Sequence, residues 1–228
     1  MRPIRRPLLL AAMLLGSGPA PAQVPTPAEV AAYRDLHAAA AREDADAIRR
    51  LAAAGAYLTA RDGNGRTPLH VAVFQGHRTA ARTLLAAGAD PALLDSQRYD
   101  AVTIAAVRDD AAMVEALIAG GASATLVTSV YDGTALIAAS HLGHDGVVRE
   151  LIRAGAPLDH VNNLGWTALL EAVILGQGGR RHQETVRALV EAGADVNIAD
   201  RQGVTPLGHA RSRGYAAIVE MLERAGGR

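Results

Sequence analysis

Gly65-Arg66-Thr67-Pro68-Leu69-His70-Val71-Ala72, followed by Gly76-His77 and then by Gly88-Ala89-Asp90, sets out the plan of this chain. The Thr67 hydroxyl is suited to accept a hydrogen bond from the backbone N–H groups left free at a helix start. Pro68 fits the first helical turn, where its missing N–H costs nothing. Gly88 stops a second helix, because the left-handed conformation of a helix end is open to glycine. The stretch therefore reads as turn, helix, helix. Gly-Ala pairs repeat that ending at Gly55-Ala56, Gly88-Ala89, Gly121-Ala122, Gly155-Ala156 and Gly193-Ala194, and Gly226-Gly227 closes the series, at intervals of 33, 33, 34, 38 and 33 residues. Upstream of the pairs, sets such as Val147, Val148, Leu151 and Ile152 recur at the three-and-four spacing of one helix face. Asp62, Asp95, Asn162 and Asp200, with Ser129 in the same slot, mark the turns between units.

The run Gly65–Ala72 resembles the ankyrin repeat, whose T-P-L-H-x-A pattern and 33-residue period it matches. Thr205-Pro206-Leu207, Thr167-Ala168-Leu169 and Thr134-Ala135-Leu136 repeat it, whereas the third unit has Asp100-Ala101-Val102-Thr103, with Asp109 in place of the glycine that links its helices. The resemblance implies an all-α repeat solenoid of six units, at about 28–60, 61–93, 94–127, 128–160, 161–198 and 199–228. The first unit lacks the turn and reads as a cap, and charged residues at both ends suit a stack without outer neighbours. Ala72, Ala105, Ala138 and Ala172 would let helix pairs approach closely. The fifth unit carries five extra residues, Gln177 to Arg181, whose two glycines predict a mobile loop.

Half of the 228 residues are hydrophobic by type, yet only seven are aromatic, and alanine supplies most of the apolar share. That composition argues against disorder. The absence of cysteine removes disulfides, thiolate metal sites and a cysteine nucleophile. All 23 basic residues are arginine, against 23 acids. With no basic run, nucleic acid is not expected as a partner.

Met1 to Ala22 reads as a cleaved secretory signal peptide: Arg2, Arg5 and Arg6, a leucine-rich apolar stretch, then Ala20-Pro21-Ala22 before Gln23. Residues 23–27 read as a proline-rich linker. Arg5-Arg6 leaves twin-arginine and general export both open. Removing three arginines and no acid leaves a net charge of −3. The expectation is a monomeric periplasmic or secreted protein with no membrane contact after cleavage.

His37 and His70 share one repeat position, and His77, His144 and His182 another, for which the resemblance implies structural hydrogen bonding. His141, His160 and His209 lie far apart along the chain and share no repeat position. His141 and His144 form the best local metal pair, but Gly143 breaks the helix between them. No phosphate loop, nucleophile elbow or zinc-protease motif appears. The expectation is no cofactor and no catalysis. A hydrolase using His141 or Asp109-Asp110 is kept as a lesser alternative.

In the ankyrin arrangement the turn tips and the last exposed positions of each first helix line a concave face. Counting from each signature threonine places Phe74, Gln75, Val107, Arg108, His141, Leu142, Ile174 and Leu175 there. Tyr99 and Trp166, just before the signature threonine, and Tyr131, at the tip of a turn lengthened by one residue, are expected as aromatic turn tips. These residues form the candidate partner-binding surface, since exposed aromatic and apolar groups in one patch are the usual interface anchors. Arg180-Arg181-His182 would lie near its rim. Leu164 to Ala199 is also similar to exported bacterial ankyrin-repeat proteins, some of which accompany oxidative-defence enzymes. A protective partner of a periplasmic enzyme and an inhibitor or immunity protein against a toxic exported enzyme are the two binding roles considered.

Overall fold

The computed structural model describes residues 24–228, so the leader lies outside the described residues. Six helix pairs follow one another: α2 (Asp35–Ala41) with α3 (Ala45–Ala53), α4 (Pro68–Gln75) with α5 (Arg78–Ala86), α6 (Ala101–Val107) with α7 (Ala111–Ala119), α8 (Ala135–Leu142) with α9 (Asp145–Arg153), α10 (Ala168–Ile174) with α11 (Arg180–Glu191), and α12 (Pro206–Ser212) with α13 (Ala216–Arg224). Each first helix packs on the first helices of its neighbours and each second helix on the second helices. The first helices pack on one another more extensively than the second helices do, and theirs is the side that the ankyrin resemblance places inward. Alanine permits this: Ala72, Ala105 and Ala172 are completely buried, although Ala138 is only half-buried. Ile48, Leu84, Leu117, Leu151, Leu189 and Leu222 of the second helices fill the remaining space.

The helix starts follow the expected chemistry. The hydroxyls of Thr67, Thr134, Thr167 and Thr205 each accept from a backbone N–H three residues on. In the third unit Asp100 takes over the cap, accepting from Thr103 N at 2.8 Å. Asp109 stands in the left-handed conformation at φ +59°, as Gly76 and Gly143 do in their units.

Three departures from the sequence reading concern the units themselves. Pro27, expected to end a linker, is instead the first residue of helix α1 (Pro27–Ala32), capped by Thr26. This helix docks on the first turn: Glu29 Oε1 lies 2.5 Å from Arg66 Nη2, Asn64 Nδ2 donates to Glu29 at 2.7 Å, and Tyr33 Oη donates to Asp62 at 2.7 Å. The turn at Ser129 is not longer than the others. Its hydroxyl accepts from the amides of Tyr131 and Gly133, as Asp62 accepts from Asn64 and Arg66. The additional residue of that unit lies before the turn, where Val127–Thr128 (β1) pairs antiparallel with Gly133–Thr134 (β2). Finally, the expected loop at 177–181 is packed. Arg180 and Arg181 open α11, which has 12 residues against nine in α9, and a side chain on Gly178 would strike the Tyr215 ring. Close packing and a φ of +66° account for glycine at this position.

Candidate functional site

The inner face is built by the first helices and the turns, and counting along each helix gives two rows of side chains. One row runs Phe74, Val107, His141, Ile174 and Ser212; the next runs Gln75, Arg108, Leu142, Leu175 and Arg213. Leu142 is 41% exposed, Ile174 and Leu175 are half-buried, and Val107 is half-buried against the core. Arg108 is exposed and Gln75 half-buried. These residues therefore come together as a surface.

Two candidates do not belong to it. Phe74 is 1% exposed and part of the hydrophobic core. Tyr99 is 4% exposed, and burial pushes its hydroxyl up to about 12. Counting positions from the signature could not show which way these rings turn. Arg66 in the position equivalent to Tyr99 is likewise buried, and Trp166 is half-buried. Tyr131 lies in its turn, half-buried as Trp166 is, with its carbonyl accepting from Asn163 N at 2.9 Å.

The turns instead expose aliphatic residues that the sequence reading passed over: Val127, Val130 and Val161 are 44%, 55% and 47% exposed. The isolated valines carried no periodic signal, and the additional residue in 122–128 hid their register. Together with Leu142 they place the largest aliphatic exposure of the inner side and turns in the fourth and fifth units.

The histidines serve mainly as ties between units. His37 Nε2 lies 2.9 Å from Arg66 O and His70 Nε2 3.2 Å from Tyr99 O; burial pushes the His70 pKa down. His77 and His144 reach Ala40 O and Ala106 O, His182 reaches His141 O, and His160 reaches Asp132 O. His209 pairs with Asp200 at 2.7 Å. Burial would push Asp200 up, but hydrogen bonds from the Val204 amide and His209 hold it below the usual carboxylate value.

His141 has a different setting. Its Nδ1 lies 3.3 Å from Oε2 of Glu171, a carboxylate 5% exposed, whose other oxygen accepts from Asn162 Nδ2 at 3.0 Å. The contact is one of proximity, since Glu171 Oε2 is buried without a hydrogen-bond partner, and no group of three metal-binding side chains occurs among the described residues. Asp110 caps α7 and pairs with Arg78, while Asp109 pairs with Arg181. Both carboxylates of the alternative hydrolase pair are thus engaged in structural contacts. No helix of the described residues is long and apolar enough to cross a membrane.

The model of ankyrin repeats, in three copies, matches residues 28–95 and 102–200. An ankyrin repeat domain from Acinetobacter baumannii AYE is 42% identical with a TM-score of 0.80, covering 85% of this chain and 98% of that one. The putative ankyrin repeat protein YahD of Escherichia coli is 39% identical over 97 residues, which are 42% of this chain and 48% of that protein. The chain thus spans about half the length of that curated relative. A chain in the structure of the predatory endopeptidase Bd0816 from Bdellovibrio bacteriovorus in complex with the immunity protein Bd3460 is 23% identical, with a TM-score of 0.68, over 84% of this chain and 98% of its own. That likeness is one of fold.

Proposed function

The chain belongs to the ankyrin-repeat family, and we propose that it is an exported, non-catalytic scaffold that holds one partner protein on the inner face of its fourth and fifth units. Ankyrin repeats mediate protein–protein interaction; the location, the partner and the face are the finer parts of this reading. The observation that carries it is the exposure of Leu142 beside the half-buried Ile174 and Leu175. An apolar patch in water is costly unless something covers it. The residues Met1–Ala22 support export. Recovery of the protein from a periplasmic extract, with Gln23 as its first residue, is the expected result; an intact leader on cytoplasmic protein would overturn that part.

A partner captured by the wild type should be lost by Leu142→Ser combined with Val130→Ser, two exposed positions whose change leaves folding intact by circular dichroism. Undiminished capture by the folded double variant would refute the face. The role is a protective one toward a periplasmic enzyme of oxidative defence, which the similarity of Leu164–Ala199 to exported ankyrin-repeat proteins supports. Such a partner stays active when bound. A captured enzyme that is silenced one-to-one would favour the alternative role, that of an inhibitor or immunity protein.

A further inference from the structure

From the inner face we infer the chemistry of the partner: an extended segment with aliphatic residues at its centre and a carboxylate toward each end. This deepens the reading above and rests on it. The second row of the inner face runs Arg108, Leu142, Leu175, Arg213 across the third to sixth units, an aliphatic pair bracketed by two arginines. Neither guanidinium has a carboxylate within ion-pair distance among the described residues. Arg108 is exposed, and Arg213 is positioned by Ile174 O at 3.2 Å and His209 Nδ1 at 3.3 Å. Across the five first helices from α4 to α12 there is a single acid, Glu171. It is buried beneath His141 and Asn162, so its oxygens are out of a partner's reach.

The face is therefore apolar in the middle and cationic at its ends, with no accessible acid on its helices to compensate. The neighbouring acids are used elsewhere: Asp109 by Arg181, Asp132 by Arg98, and Asp110 by Arg78. Guanidinium groups with free donors pair most strongly with carboxylates. Packed helices lie about 8–10 Å apart, so three steps from Arg108 to Arg213 span roughly 24–30 Å. At about 3.3 Å per residue an extended strand covers that distance in roughly eight residues.

The test is a selection of 16-residue random peptides displayed against the leader-free protein, with binding of the enriched peptides measured by titration. The expected pool is enriched in Asp and Glu flanking aliphatic residues at a separation of roughly eight. Its members should weaken at least tenfold with Arg108→Gln/Arg213→Gln and at least tenfold between 50 and 500 mM salt (order-of-magnitude expectations for two charge-assisted pairs). Peptides lost with Leu142→Ser but indifferent to the arginine changes would overturn this inference and leave the inner-face reading standing. Peptides indifferent to all three changes, or no enrichment at all, would overturn both. A single-stranded oligonucleotide that binds as tightly as the peptides and depends on the same arginines would replace the acidic segment with nucleic acid.

Discussion

Asp100 stands where four other units carry threonine, and it is 1% exposed. Burial pushes its carboxyl above the ordinary value of 3.8, only partly offset by the cap bonds from Thr103, and the charge of Asp95 adds to the rise. A folded-state value above the unfolded one means that the carboxyl favours folding below about pH 4 and that this contribution is lost as pH rises through the folded value. Asp100→Thr keeps the cap and removes the buried charge. It should stabilise the protein at pH 7 by about 0.5–2 kcal/mol, with the gain shrinking toward zero near pH 4, as read by urea denaturation at several pH values. A gain independent of pH would show that the charge is not the cause. The opposite sign holds at Arg66, which is 1% exposed and pairs with Asp62 at 2.6 Å. Arg66→Ala leaves the Asp62 carboxylate without its charged partner and should cost about 3–5 kcal/mol, measured in the same way.

At the scale of the element, α1 is held mainly by polar contacts, and its own residues include none that is fully buried. The Thr26 amide and hydroxyl, and then Arg66, hold the Glu29 carboxyl below its usual value. Burial would push Asp62 up, but hydrogen bonds from Tyr33 and Arg66 hold it low. Depressed carboxylates contribute stability above their unfolded values, near 4.5 and 3.8, and lose it as pH falls through the folded ones. Glu29→Gln should therefore speed amide hydrogen exchange in 29–33 while leaving exchange in α6 to α10 unchanged. Equal protection in the variant would remove Glu29 from the docking. The start of α11 is a second element fixed from outside itself. Arg181 lies 2.6 Å from Asp109 and 3.7 Å from Asp145, so the fifth unit grips the third across the fourth. The period marks the inserted residues; their helical ending depends on those two acids and on the Tyr215 ring.

The whole molecule is a one-dimensional stack, in which each unit is stable only through its neighbours. Leu151 is completely buried in the second helix of the fourth unit. Leu151→Ala should cost about 2–5 kcal/mol and, because it lies mid-stack, uncouple the two ends. Trp166, the one tryptophan of the chain, reports on the unit next to it. Its fluorescence should then change at lower denaturant than the helical signal of the whole, whereas coincident transitions would argue that the stack unfolds as a single block.

Repetition is why so much was legible in the residues alone. A cap chemistry shown at Thr67 recurs at Thr134, Thr167 and Thr205, and even Asp100 and Asp109 keep the backbone conformation of the residues they replace, because each position answers to a local requirement. Period, helix order and the structural use of most histidines follow from such local rules. The binding face does not, since it depends on which way a side chain turns between two units. Phe74 and Val107 hold the same repeat position, yet one is core and the other half-open. Tyr99 and Trp166 differ in the same way, and Val130 emerges at a turn whose register was hidden by one additional residue upstream. The sequence by itself determined the stack, because backbone caps and helix periodicity act within a few residues. Only the tertiary structure decided the surface, because exposure is settled by the neighbouring unit.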